Sequence, residues 1–417
     1  MHKKLTAFHG KPAPSRPARA VVAGVLGAVV LGGVTRARGQ CQYDVVDLDY
    51  PLDCSITDVI TIPTGLNNHG AVVGRYYCPL WTTALAFLWT PEEGFVTLPL
   101  PPGVNSMRAD DINDAGMIVG SYSLPGGGTR AFVYQDGEYT VLLPPPGSNY
   151  IGASAINNQG MVAGAHSLGA NPSQPSAYMW TAEDGFTYLG VMNGPYSQAY
   201  HIGPAGHVTG WTGSILDQRA FVWHEGELTI LPPTPGGIAS SAGGITADGL
   251  LVGTGRLPQP SGIDRGIGFL WRDGRFLRLI DPLPGYDTSG AGDINSAHQV
   301  TGLSMSLANA NDRRGFLWQH GVTHDLNDLV PPGTSRIQKA SDINDRGQII
   351  ARGYDGHAFL LTPVGRPPGD LDIDCTVGVT DFLRLLAEWG QADSPADIND
   401  DGTVDGLDLA ILFENWG

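Results

Sequence analysis

Two acidic runs near the C-terminus carry the residue order that most clearly specifies a chemistry. The first is Asp370-x-Asp372-x-Asp374-x-Thr376, with Asp381 at the twelfth place; the second is Asp397-x-Asn399-x-Asp401-Gly402-Thr403, ending at Asp408. Side chains at alternate positions of a tight loop turn their oxygens inward, and the seventh place adds a backbone carbonyl. Ca²⁺ takes about seven such hard oxygens in flexible geometry, so the pattern predicts two Ca²⁺ ions, one per loop. The second loop fits more closely. In the first, Cys375 stands at the sixth place, where Gly permits the sharp turn, and Gly378 offers no oxygen at the ninth. Residues 370–417 hold twelve acids against one Arg, a balance that predicts folding on cation binding.

Those loops need elements to hold them. Phe382, Leu385, Leu386 and Trp389 follow the first loop, and Leu409, Leu412, Phe413 and Trp416 follow the second. Each set is spaced i, i+3, i+4, i+7, and the offset from Asp370 to Asp397 is the same as that from Phe382 to Leu409. Loop and helix are therefore duplicated together, which predicts two amphipathic helices burying their apolar faces against each other. With its loops of EF-hand type, this tandem resembles a type I dockerin. That resemblance covers residues 370–417 and implies a cohesin-like or cell-surface protein partner. It places the contacts at the tenth and eleventh loop positions, here Val379, Thr380, Gly406 and Leu407; of these only Thr380 matches the hydroxyl pair of cellulosomal examples.

A repeat occupies nearly all of the preceding chain. In Asp111 to Leu143, four short β-type runs are joined by Asn113-Asp114-Ala115-Gly116, a Gly-rich loop and Asp136-Gly137, which reads as an antiparallel meander. Its anchor recurs as Leu66, Ile112, Ile156, Ile202, Ile245, Ile294 and Ile343, at spacings of 46, 44, 46, 43, 49 and 49. Propeller repeats have periods of roughly 40 to 50 residues. A Gly follows four residues after every anchor except in the sixth copy (His298), and eight after every anchor except in the seventh (Ala351). Further on stand Ala86-Phe87, Ala131-Phe132, Ala177-Tyr178, Ala220-Phe221, Gly268-Phe269, Gly315-Phe316 and Ala358-Phe359, with Trp two residues beyond in five copies. One four-stranded unit cannot bury its own faces, so the aromatics are predicted to fill the spaces between stacked units.

The run Ile-Asn-x-x-Gly, Val-x-Gly, Ala-Phe-x-Trp resembles the HAF repeat of bacterial extracellular proteins, over about residues 43–361. Repeats 4 and 5 depart from it, with Gly203 and Thr246 in place of Asn. The resemblance implies no assigned catalytic residue. Tyr43 to Leu48 looks like a fourth strand with no first three, and the seventh repeat lacks its fourth, so the N-terminal strand is predicted to complete the last blade. The predicted fold is therefore all-β: a seven-bladed β-propeller of four-stranded blades closed by an N-terminal strand, over 40–362. A linker (363–369) and a small α-helical Ca²⁺-binding dockerin-like module (370–417) follow.

Residues 1–39 hold seven Lys or Arg and no acid around the apolar run Ala20 to Val34. That run is too short to span a bilayer comfortably, and Ala37-Arg38-Gly39 offers small residues at the cleavage positions. A signal peptide cut before Gln40 is predicted, with an uncut signal anchor as the alternative, and a secreted or cell-surface location. The chain carries a formal charge of −17; the part after the cut carries 17 basic and 41 acidic side chains, formally −24. Nucleic acid and anionic membrane are poor partners on charge. Cys41, Cys54, Cys78 and Cys375 allow three pairings, among which Cys54 with Cys78 is favoured over free thiols.

Pro-rich crossings between units (Pro99–Gly103, Pro144–Gly147, Pro232–Gly237, Pro282–Gly285 and Pro331–Gly333) should cluster on one face of a ring and form a binding surface for a protein or carbohydrate. Nucleophile-elbow, zinc-protease and phosphate-loop motifs are absent. The histidines at 166, 201, 207, 224, 320, 324 and 357 are scattered and read as surface residues, and Asp110 with Asp111 read as turn and cap residues. Three functions follow: a non-enzymatic binding protein with a Ca²⁺-dependent docking module; a polysaccharide-degrading hydrolase, which requires a carboxylate pair converging in one pocket; or a ring that its own C-terminal module caps.

Overall fold

The computed structural model describes residues 42–48, 59–77, 83–167, 174–190, 194–214, 217–260, 262–392, 394–399 and 402–417. Residues 39–417 form one compact unit. The predicted signal segment and Cys41, Cys54 and Cys78 lie outside the described residues. Among the described residues no helix is long and apolar enough to cross a membrane.

The strands make seven four-stranded sheets, and all but the last run in simple sequence order. Blade 1 comprises β2 (Ile60–Leu66), β3 (Val72–Tyr77), β4 (Leu85–Thr90) and β5 (Gly94–Thr97); blade 2 comprises β6 (Met107–Ile112), β7 (Ile118–Ser123), β8 (Thr129–Gln135) and β9 (Glu138–Leu142). Blades 3 to 6 repeat this plan from β10 (Ile151–Ile156) to β25 (Val322–Asp325). Blade 7 takes β26 (Ile337–Ile343), β27 (Ile349–Gly353) and β28 (Ala358–Val364) from the end of the repeat region and β1 (Gln42–Asp47) from its beginning. β1 lies antiparallel on β28, with Val45 opposite Leu361 and Asp47 opposite Phe359. The ring is thus closed by the first and last strands of the repeat region, as the orphan strand predicted. β28 runs through Pro363 and Val364, which takes in the first two residues of the predicted linker.

The repeated aromatics are core residues. Phe87, Phe132, Tyr178, Phe221, Phe269 and Phe316 are fully buried, and Phe359 is 5% exposed. The second-strand glycine explains their seating: Gly120 pairs with Phe132 across β7 and β8, and a Cβ on it would lie 2.1 Å from the Arg108 carbonyl oxygen and 2.9 Å from the Phe132 ring. The turn glycine has a different cause, a positive φ of 76° at Gly116. His298, which replaces it in the sixth copy, takes the same region at 59°.

Because neighbouring strands are antiparallel, the turns after the first and third strands of every blade fall on one face. The Pro-rich crossings fall on the other. β28 ends on the turn face, since Leu361 pairs with Ile349 at the start of β27. The C-terminal module therefore starts on the turn face, opposite the Pro-rich crossings.

Candidate functional site

Both acidic loops are closed by the carboxylate at their twelfth position. Asp381 Oδ1 accepts from the Leu371 and Asp372 amides (2.6 and 3.0 Å) and its Oδ2 from Gly378 N (2.7 Å). Asp408 repeats this in the second loop, accepting from Ile398 and Asn399 (2.7 and 3.2 Å) and from Asp405 (2.8 Å). Asp370 Oδ2 accepts from Cys375 N at 3.0 Å, and Asp397 Oδ2 from Gly402 N at 2.8 Å. Each loop runs into a helix, α1 (Val379–Ala387) and α2 (Gly406–Glu414). Asp381 and Asp408 lie in the first turns of these helices, where a carboxylate suits the helix dipole.

Carboxylate oxygens of Asp370, Asp372 and Asp381 all lie within 4.8 Å of one another, and all three residues are buried. Burial pushes the Asp370 carboxyl up to about 6 despite the Arg366 guanidinium beside it, and raises Asp381 as well. Asp372 Oδ1 is buried and accepts no hydrogen bond. An unmatched buried anionic oxygen in a cluster of like charges fits a hard cation. Asp374 turns to Thr376, whose amide donates to it at 2.8 Å. The strain anticipated at Cys375 is present: its φ is +64°, where Gly402 in the second loop has +95°. Cys375 is disulfide-bonded rather than free, and its partner lies outside the described residues. So does Asp401 of the second loop.

The helix faces depart from expectation. Leu385 and Leu412 are fully buried, and they pack with Leu371, Val377, Ala396 and Val404 from the loops. Leu386, Trp389, Phe413 and Trp416, predicted to be buried between the helices, are instead 44%, 47%, 52% and 43% exposed. The loops' own apolar residues fill the space between the helices, so only half of each stripe goes inside. Phe382, Phe413 and Trp416 form an aromatic group with centroids 5.5–6.5 Å apart. Val379, Thr380, Gly406 and Leu407 are exposed.

The first loop is seated on the ring. Ile373 is 2% exposed and joins the blade 7 core cluster; its carbonyl accepts from Gln299 Nε2 of blade 6 at 3.2 Å. Arg384 of α1 donates to Ser296 Oγ at 3.1 Å. His320 of blade 6 lies 3.4 Å from Asp372.

The ring's channel carries a second set of groups. Asn Nδ2 atoms on the turn face donate to the next blade's carbonyl: Asn67 to Asn113 (3.1 Å), Asn113 to Asn157 (3.0 Å), Asn157 to Gly203 (3.1 Å), Asn295 to Asn344 (3.0 Å) and Asn344 to Asn67 (2.9 Å). The two interfaces without such a bond follow Gly203 and Thr246, the two departures from the repeat. Below this belt, around a cavity of about 290 Å³, stand Asp111, Asp293, Asp342 and His201, each one residue before its anchor. Asp111 is not a turn cap. Its Oδ2 accepts from Ile156 N of blade 3 at 2.8 Å, as Asp342 does from Leu66 N of blade 1 (2.9 Å) and Asp293 from Ile343 N of blade 7 (3.3 Å). Burial raises all three carboxyls, Asp111 and Asp342 strongly and the latter with help from Asp293, and it lowers His201. Asp110 points elsewhere, to Arg108 Nε at 3.0 Å.

Several histidines are not simple surface residues. His166 is 5% exposed, the rings of His207 and His224 stack at 3.9 Å, and His201 lines the channel. Sequence reasoning missed His320 because its partner is remote in the chain and belongs to another module; the signal available was that an imidazole replaces the acid found at this turn in other blades.

The fold and these sites define a seven-bladed β-propeller with a docked acidic module. The sequence matches no protein-family profile and no curated protein. Among solved structures it is similar to YCF48 bound to D1 peptide (13% identity, TM-score 0.46, covering 78% of this chain and 97% of that one). It is also similar to a prolyl endopeptidase (12%, 0.47, 75% and 51%) and to the gluconolactonase XC5397 of Xanthomonas campestris (11%, 0.35, 76% and 89%).

Proposed function

We propose that the chain is a secreted, non-enzymatic binding protein of HAF-repeat type. Its ring presents the Pro-rich face to a protein or carbohydrate, and its dockerin-like module binds Ca²⁺ and docks a cohesin-like or cell-surface partner. The observation that carries this reading is the duplicated loop and helix: the same carboxylate closure occurs twice, at Asp381 and at Asp408, in loop-and-helix units that leave Leu383, Leu386, Trp389 and Phe413 exposed. Asp370, Asp372, Asp374, Thr376 and Asp381 would hold one ion, and Asp397, Asn399, Asp401, Thr403 and Asp408 the other. Bound Ca²⁺ would supply the positive charge that the clustered carboxylates lack.

The hydrolase alternative requires carboxylates free to act on substrate. Three converge in the channel, but each spends an oxygen on a backbone amide of the next blade. A second reading, in which the module caps its own ring, is favoured by the burial of Ile373 against blade 7. The test is capture from cell-surface extract with and without chelator, alongside a polysaccharide turnover screen. Capture of a partner that chelator abolishes and Leu383→Asp weakens supports docking. Turnover lost in Asp293→Asn would overturn the binding-protein reading, and Ca²⁺ uptake that raises the melting temperature without any captured partner would leave the cap.

A further inference from the structure

His320 occupies the third-to-fourth-strand turn of blade 6, with φ of +49° followed by +87° at Gly321. The same turn carries an acid in blades 2, 4 and 5: Asp136, Glu225 and Asp273, at +50°, +48° and +50°. The imidazole thus replaces an acid at the blade where the first acidic loop lands. One ring nitrogen of His320 and one carboxylate oxygen each of Asp372 and Asp374 lie within 4.8 Å of one another. The approach of His320 Nε2 to Asp372 Oδ2, at 3.4 Å, leaves Asp372 Oδ1 without a hydrogen bond although the residue is 4% exposed.

We propose that His320, Asp372 and Asp374 form a divalent transition-metal site that fastens the module to blade 6. One imidazole nitrogen with two carboxylate oxygens suits Zn²⁺, Mn²⁺ or Co²⁺, whereas Ca²⁺ prefers oxygen alone. Ligands about 2.1 Å from a shared ion lie roughly 3 to 4 Å apart, so the three groups need only a small closure. The ring already holds the module's two acids in place, because Gln299 Nε2 binds the carbonyl of Ile373 between them. His320 is half-exposed, which leaves an entry path and room for water to complete the coordination. The site shares Asp372 and Asp374 with the proposed first Ca²⁺ loop, but it does not require Ca²⁺ there.

The test is a Co²⁺ titration of the chelator-stripped full chain, followed by visible absorption, with a parallel Ca²⁺ titration by calorimetry. One Co²⁺ should bind, and His320→Asn should weaken it at least about tenfold while Ca²⁺ uptake is unchanged. Asn tolerates the positive φ, so the fold should persist. In the unmutated chain, pulsed electron paramagnetic resonance of bound Mn²⁺ should show one coupled imidazole nitrogen. The proposal is overturned if the parent takes up no Co²⁺, if His320→Asn binds it as tightly with the same spectrum, or if the imidazole coupling is absent. Loss of Ca²⁺ uptake with His320-dependent Co²⁺ binding retained would instead overturn only the Ca²⁺ reading.

Discussion

The Asn belt makes Asn113→Ala a quantitative probe of how the blades are joined. Asn113 is 3% exposed; its Oδ1 accepts from Met117 N at 2.9 Å, which fixes the turn, and its Nδ2 donates to Asn157 O of blade 3 at 3.0 Å. Truncation removes both bonds. The Asn157 carbonyl keeps the Gly160 amide at 3.0 Å, so the larger loss is at the partly buried Met117 N–H. Losing the bond to the still-satisfied Asn157 carbonyl costs about 1 kcal/mol and leaving the Met117 donor unpaired about 1–3 kcal/mol, which together give a destabilisation of roughly 2–4 kcal/mol. Equilibrium urea unfolding at neutral pH reads this directly, with Glu138→Ala, at an exposed edge-strand position, as the control expected within about 0.5 kcal/mol of the parent. An Asn113→Ala variant as stable as that control would refute the account of the belt as a blade-to-blade fastening.

Three further substitutions test neighbouring steps. Gly120→Ala places a Cβ 2.1 Å from the Arg108 carbonyl oxygen and should cost about 3 kcal/mol or more by urea unfolding; a loss below about 1 kcal/mol would show that the blade 2 sheet relaxes freely. Thr246→Asn restores a belt donor toward Asn295 and should stabilise by about 1 kcal/mol, whereas Gly203→Asn should destabilise, because its Cβ would meet Ile245 Cγ2 at 2.7 Å. Burial and the Asp293 charge raise the Asp342 carboxyl, so the folded chain binds a proton that the unfolded chain releases; that stabilisation is complete below about pH 4 and is lost as pH rises through the raised value. Asp342→Asn should therefore flatten the fall in stability as the pH rises above about 4, and an unchanged slope would contradict the direction of the shift.

The periodic features were legible because each has a local cause. Gly120 and Phe132 face each other in one sheet, and Gly116 has its own turn to make, so both motifs recur at the blade spacing. Closure was legible because Tyr43 to Leu48 is a strand without a sheet. The channel was not. Asp111 reaches the amide of Ile156 in the next blade, and that register exists only once blades 2 and 3 are packed. A cap and a blade fastening use the same residue type, so the dipeptide Asp110-Asp111 could not separate them. The helix stripes misled for a related reason: i, i+3, i+4, i+7 spacing identifies an apolar face but not the area available to cover it. Val377 and Val404 enter from the loops and take that area, which leaves Trp389 and Trp416 outside.

The seating of the module links these findings to function. Its first loop is the one that departs most from the Ca²⁺ pattern, with Cys375 at a glycine position, yet this loop makes the ring contacts, through Ile373 to blade 7 and Gln299 to blade 6. If both loops hold Ca²⁺ as proposed, the first has ring contacts in addition to its packing within the module, so the departures are tolerable where the ring supports them. The second loop, with Gly402 at the turn, keeps the stricter pattern. Removal of the proposed Ca²⁺ by chelator should accordingly loosen the second loop first, and hydrogen exchange at Ile398 and Val404 should rise before exchange at Leu371 and Val377. The reverse order would mean that the ring contacts do not support the first loop.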